Sequence, residues 1–159
     1  MTINVGDTIP NATLNHFKDG VQAINTDEIF KGKKVVLFSV PGAFTPTCSA
    51  KHLPGYVEHF AEFKSKGVDV GCIAVNDAFV MAAWGKDQHT PDGLLMLADG
   101  NGAFAKLLGL EMDASAFGMG VRSKRFALYA VDGVVKALHI EAPGEFKVSS
   151  AEAMLAAIG

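Results

Sequence analysis

The sequence predicts an α/β fold, a central mixed β-sheet with helices on both faces. Three observations predict it. Strand-like and helix-like stretches alternate along the chain. The strand-like stretches at residues 33–40 and 68–75 are near-continuous apolar runs, which suit strands covered on both sides. An Asp132-Gly133 pair between two apolar stretches reads as a two-residue hairpin turn.

The elements follow in order. The region before residue 33 reads only as extended. Residues 33–40 hold the run Val35, Val36, Leu37 and Phe38. Thr45 and Pro46 then open a helix, which Pro54-Gly55 is expected to kink before it continues towards Lys66. Gly67 ends that helix, and residues 68–75 form a second buried strand. Asn76-Asp77 caps a helix reaching about Lys86. Residues 94–97 read as a short strand and 103–108 as a short helix. Residues 125–131 and 134–140 make the hairpin, and Ser149 with Glu152 forms a capping box for a last helix. A β-α-β unit followed by a hairpin and a closing helix is the pattern of a thioredoxin-like fold. With no internal repeat and no linker, the expectation is a single domain over residues 1–159.

Composition narrows the function. The 159 residues are 49% hydrophobic and 19% charged, which argues against disorder. A net charge of -3, with Lys and Arg scattered, gives no reason to expect a nucleic acid or an anionic membrane as partner. The first residues lack the basic start and apolar stretch of a signal peptide, so a cytoplasmic location is expected. His16, His52, His59, His89 and His139 are dispersed, and neither Cys48 nor Cys72 has a C-x-x-C partner. No metal or cofactor is implied. Asp77 and Asp99 read as cap or turn residues, and His52, four residues after Cys48, reads as a surface histidine.

Chemistry concentrates in Pro41-Gly42-Ala43-Phe44-Thr45-Pro46-Thr47-Cys48-Ser49. With Thr45 as N-cap and Pro46 in the first helical position, Cys48 falls in the first turn, where its N–H is one that a capping hydroxyl can receive. That turn carries unpaired N–H groups and the positive end of the helix dipole. Such surroundings, with a nearby cation, lower a cysteine pKa from about 8.5 to roughly 3.5–7.5. The gain in thiolate is at most ~30-fold, so positioning of the substrate and charge stabilisation must supply the rest of any catalysis. Position alone is equally compatible with a small buried cysteine at a helix start.

The string resembles the peroxiredoxin active-site pattern of Pro, three residues, Thr or Ser, two residues, and Cys: here Pro41, Thr45 and Cys48. In its fuller form it is similar to the subgroup of animal peroxiredoxin five and the plant type II enzymes. Val75-Asn76-Asp77-Ala78-Phe79-Val80-Met81, Leu97-Ala98-Asp99-Gly100 and Arg122-Ser123-Lys124-Arg125-Phe126-Ala127 extend the likeness. So does the closing Gly144-Glu145-Phe146-Lys147-Val148-Ser149, which leans towards the plant type II and related bacterial members. The resemblance implies a thiol peroxidase in which peroxide oxidises Cys48 to a sulfenic acid. It implies that Thr45 offers its hydroxyl to thiolate and peroxide, that Pro41 shields the sulfur, and that Arg125 is the activating cation. Without it, Arg125 reads as a solvated charge at a strand end.

Cys72 is open to two readings, an inert core thiol or a resolving cysteine that condenses with oxidised Cys48. The animal members carry a resolving cysteine near the C-terminus, and this chain has none there. Glutathione, glutaredoxin or thioredoxin is the implied reductant. By the same resemblance Phe44, Phe79, Trp84 and Phe117 line a homodimer interface. The alternative function is a thioredoxin-fold redox sensor or binding module; a dithiol oxidoreductase is disfavoured by the missing C-x-x-C.

Overall fold

The computed structural model describes residues 2–159. Its first half comprises β1 (Thr13–Phe17), β2 (Val21–Asn25), α1 (Thr26–Phe30), β3 (Lys34–Ser39), α2 (Leu53–Glu58), α3 (Phe60–Ser65) and β4 (Val68–Ala74). Then come α4 (Ala78–Asp87), β5 (Leu95–Ala98), α5 (Ala103–Leu108), β6 (Glu111–Asp113), β7 (Val121–Ser123), β8 (Phe126–Val131), β9 (Val134–Ile140) and α6 (Ala151–Ile158). Seven strands form one sheet in the order β2-β1-β5-β4-β3-β8-β9, and β6 pairs with β7 separately. β3–β4 and β4–β5 are parallel, while β3–β8, β8–β9 and β1–β2 are antiparallel. This is the mixed thioredoxin-like sheet that the apolar runs predict.

Burial on β3 follows the two-residue period of a strand. Val36 and Phe38 join a core with Tyr56, Phe63, Val70, Cys72, Trp84 and Met154. Val35 and Leu37 face the other core, with Phe30, Leu97, Phe104 and Leu128. Each face therefore has its own helix cover, and β3 carries both. The Asp132-Gly133 turn joins Val131 to Val134, with φ of 50° and 77° as a type I′ hairpin requires.

Three local expectations are corrected. The N-terminal region is a β1–β2 hairpin and a helix, capped by Asn25 with Glu28 in a capping box. The helix after Thr45 does not break at Pro54. Cys48–His52 is a π-helical turn, in which Leu53 N–H bonds the Cys48 carbonyl. Pro54 stands in the first turn of α2, where a missing N–H is tolerated, and the break comes at His59, between α2 and α3. Finally Ser150, not Ser149, caps α6, its hydroxyl accepting Ala153 N–H at 3.1 Å.

Candidate active site

The site begins at the C-terminal end of β3. Val40 N–H bonds the Ile73 carbonyl at 3.1 Å, and Ala43 N–H bonds Asn76 Oδ1 at 3.0 Å. Between them the chain passes close to other groups. A Cβ on Gly42 would lie 3.0 Å from Arg122 Nη1 and 3.2 Å from Met119 Cε, so glycine fits that approach. Arg122 holds the loop, donating from Nη1 to the Pro41 carbonyl at 3.3 Å and from Nε to the Met119 carbonyl at 3.0 Å. Phe44 has φ of 65°, a conformation costing a bulky residue roughly 1–3 kcal/mol and kept only where surroundings impose it.

Thr45 closes this loop differently from the expected cap. Its hydroxyl donates to the Gly42 carbonyl at 2.6 Å, while its own carbonyl accepts Ser49 N–H at 2.9 Å. The hydroxyl proton is thus committed to the loop, and the oxygen lone pairs remain available.

Cys48 follows, with none of its surface exposed. Arg125, just before β8, donates from Nη2 to Cys48 Sγ at 3.2 Å. The same guanidinium donates from Nη1 to His52 Nδ1 at 2.8 Å, and its carbon sits 5.8 Å from the Phe146 ring centroid. None of the ion pairs among the described residues includes Arg125. Its charge therefore faces the Cys48 sulfur without a carboxylate paired to it.

His52 is not a surface residue. It is fully buried between Phe38 and Phe146, and its Nε2 lies 3.0 Å from the Ser149 carbonyl. A carbonyl only accepts, so Nε2 carries the proton and Nδ1 is the acceptor for Arg125. Burial first, and the Arg125 charge second, push the His52 pKa down from 6.5 to about 3, which keeps the ring neutral. Ser149 is fixed in turn by Glu141, whose carboxylate accepts the N–H groups of Lys147, Val148 and Ser149 and the Ser149 hydroxyl.

Cys72 lies beneath the site, fully buried in β4 opposite Phe38 on β3 and Met96 on β5. Burial first, then the nearness of the Cys48 sulfur, raises its thiol pKa well above the ordinary value. Both cysteines are free. Trp84 is core, its ring N–H donating to Ser49 Oγ at 3.0 Å. Phe44, Phe79 and Phe117 are exposed by 52%, 65% and 82%.

The expected caps hold, Asp77 accepting Val80 N–H and Asp99 accepting Phe104 and Ala105 N–H. Sequence reasoning missed His52, Ser149 and Glu141 as parts of the site. Only the spacing of His52 from Cys48 signalled any of them.

The Redoxin family matches residues 4–155. Peroxiredoxin-2B of Arabidopsis thaliana is 50% identical over 159 residues, covering 98% of this chain and 98% of that protein. The structure of reduced Prx3 from Vibrio vulnificus in complex with H2O2 has a TM-score of 0.95 and 53% identity, over 99% of this chain and 100% of that one. Peroxiredoxin 5 from Alvinella pompejana has a TM-score of 0.86 and 35% identity, over 98% and 97%. Near full-length likeness at that identity shows more than a shared fold. The chain belongs to the peroxiredoxins, in the subgroup of the plant type II enzymes and peroxiredoxin five, and is a thiol-dependent peroxidase.

Proposed function

We propose that Cys48, Arg125, Thr45 and Pro41 carry the peroxidase reaction in this chain, and that the contact of Arg125 Nη2 with Cys48 Sγ is its centre. The Cys48 thiolate attacks the terminal oxygen of a hydroperoxide. The S–O bond forms as the O–O bond breaks, leaving Cys48 sulfenic acid and, once the leaving oxygen takes a proton, water or an alcohol. Arg125 holds the thiolate and stabilises charge moving onto the peroxide oxygens. Thr45 Oγ1 accepts a hydrogen bond from the O–H of the incoming peroxide while its own O–H donates to the Gly42 carbonyl. Pro41 covers the entrance to the sulfur.

A thiol donor then returns Cys48 to its reduced form, with glutathione, glutaredoxin or thioredoxin as the reductant. Cys72 is the resolving thiol if the first turn unwinds to bring the two Cα atoms within about 7 Å. The exposed Phe44, Phe79 and Phe117 give the chain a homodimer face beside the site. A single cytoplasmic domain completes the reading. No helix among the described residues is long and apolar enough to cross a membrane.

The test is steady-state peroxide consumption with a dithiol donor. Wild-type protein is expected to turn over many equivalents of hydrogen peroxide, and Cys48→Ser none. Activity retained by Cys48→Ser would move the nucleophile elsewhere, and one stoichiometric oxidation without turnover would favour the sensor.

A further inference from the structure

We infer that His52 is a positioning residue for the peroxidase reaction, acting as the neutral acceptor that aims the Arg125 guanidinium at the Cys48 sulfur. The inference rests on the proposed roles of Cys48 and Arg125 and assigns a third side chain to the same event.

A guanidinium on a long side chain needs a second anchor if one of its nitrogens is to stay on a sulfur. Here the anchor is His52 Nδ1, 2.8 Å from Nη1, while Nη2 reaches Cys48 Sγ at 3.2 Å. The usual partner for a buried arginine is a carboxylate, which would hold it firmly but offset its charge and draw it from the thiolate. A neutral imidazole supplies an acceptor without a negative charge. The orientation of Arg125 is fixed and its charge remains for the sulfur and the peroxide.

The acceptor works only in one tautomer, and the fold selects it. The Ser149 carbonyl accepts a hydrogen bond from Nε2–H at 3.0 Å and another from the Tyr56 hydroxyl at 2.8 Å. Ser149 stays in place because Glu141 binds its N–H at 2.9 Å and its hydroxyl at 2.7 Å. The Phe38 and Phe146 rings, each with its centroid 4.9 Å from that of the imidazole, wall it off from water. The path therefore runs from Glu141 to Ser149, His52, Arg125 and Cys48, through contacts that each have a defined donor and acceptor.

The experiment compares rates of Cys48 oxidation by hydrogen peroxide in stopped flow for wild type, His52→Leu, His52→Asn, Arg125→Ala and His52→Leu/Arg125→Ala. Asn places Oδ1 near the position of Nδ1, and Leu offers no acceptor. His52→Leu is expected to slow oxidation ~10–100-fold, the scale of a misplaced catalytic group, with His52→Asn recovering most of the loss. In the Arg125→Ala background His52→Leu is expected to change nothing further, because the residue it orients is gone. Histidine ¹⁵N shifts of the wild-type protein at neutral pH are expected to show Nε2–H for His52, a readout that needs no variant to fold. Wild-type rates in His52→Leu, an equal slowing in both backgrounds, or an imidazolium or Nδ1–H tautomer would each overturn the assignment. Full activity in Arg125→Ala alone would instead overturn the role given to Arg125, which separates the two failures.

Discussion

Trp84 Nε1 donates to Ser49 Oγ at 3.0 Å and so ties the π-helical turn carrying Cys48 to α4. The bond joins the buried Trp84 to the half-buried Ser49, which follows Cys48 on that turn. Ser49→Ala leaves a buried indole N–H without its partner, at a cost of about 1–3 kcal/mol. The expected outcome is faster hydrogen exchange over residues 48–53, with the strand amides unchanged. Unaltered exchange there would show that the bond does not restrain the turn.

Cys72 gives the second prediction. Burial raises its thiol pKa and β4 holds it in the sheet, so it is expected to take no part in the attack on peroxide. Cys72→Ser is expected to leave the first oxidation rate unchanged and to remove any Cys48–Cys72 disulfide from oxidised protein. Nonreducing peptide mapping and stopped flow separate these steps. A slower first oxidation would place Cys72 in the chemical step.

Acid stability gives the third. His52 binds a proton near 6.5 when unfolded but only near 3 when folded, through burial and then the Arg125 charge. The unfolded chain holds the extra proton between those values, so this contribution is complete above pH 6.5 and is lost as pH falls towards 3. The slope approaches ~1.4 kcal/mol per pH unit. Glu141 adds to the loss at lower pH. Burial alone would raise its pKa, but the hydrogen bonds from Ser149, Lys147 and Val148 bring it below the usual carboxylate value, so its stabilisation goes as pH falls through that lowered value. His59 runs the other way: the Glu62 hydrogen bond first, then Glu152, raises its pKa, giving stability present at low pH and lost as pH rises. The difference between wild type and His52→Asn isolates His52. Urea unfolding from pH 7 to 5 is expected to show a shallower decline in His52→Asn, and parallel declines would remove His52 from the account.

The exposed aromatic face supplies the fourth. Phe79 on α4 is 65% exposed and Phe17 is its ring neighbour at 6.0 Å. Phe79→Glu would force a charge into any dimer interface that uses this face. Sedimentation is expected to show a wild-type dimer and a monomeric variant, and a monomeric wild type at micromolar concentration would dismiss the interface.

The fold was legible where patterns are local and strong. Val35 to Phe38 on β3 and the Asp132-Gly133 turn announce themselves by composition and spacing. The β1–β2 hairpin did not, because its strands are largely exposed and carry little apolar alternation. Cys48 was legible as a first-turn cysteine in a specific motif. His52 was misplaced on the surface because the groups burying it come from far along the chain: Arg125 is 73 residues away and Ser149 is 97. The Thr45 hydroxyl was assigned to a cap because helix-start rules are local, whereas the tight approach at Gly42 offers it a nearer carbonyl.

The most direct test of the central claim is peptide mapping of wild-type protein after one equivalent of hydrogen peroxide, with a sulfenic-acid trap present throughout. The account predicts that the trapped adduct lies on Cys48, that Arg125→Ala suppresses its rate of formation, and that Cys72 carries no adduct of its own. A trapped adduct on Cys72 with Cys48 still reduced would contradict it.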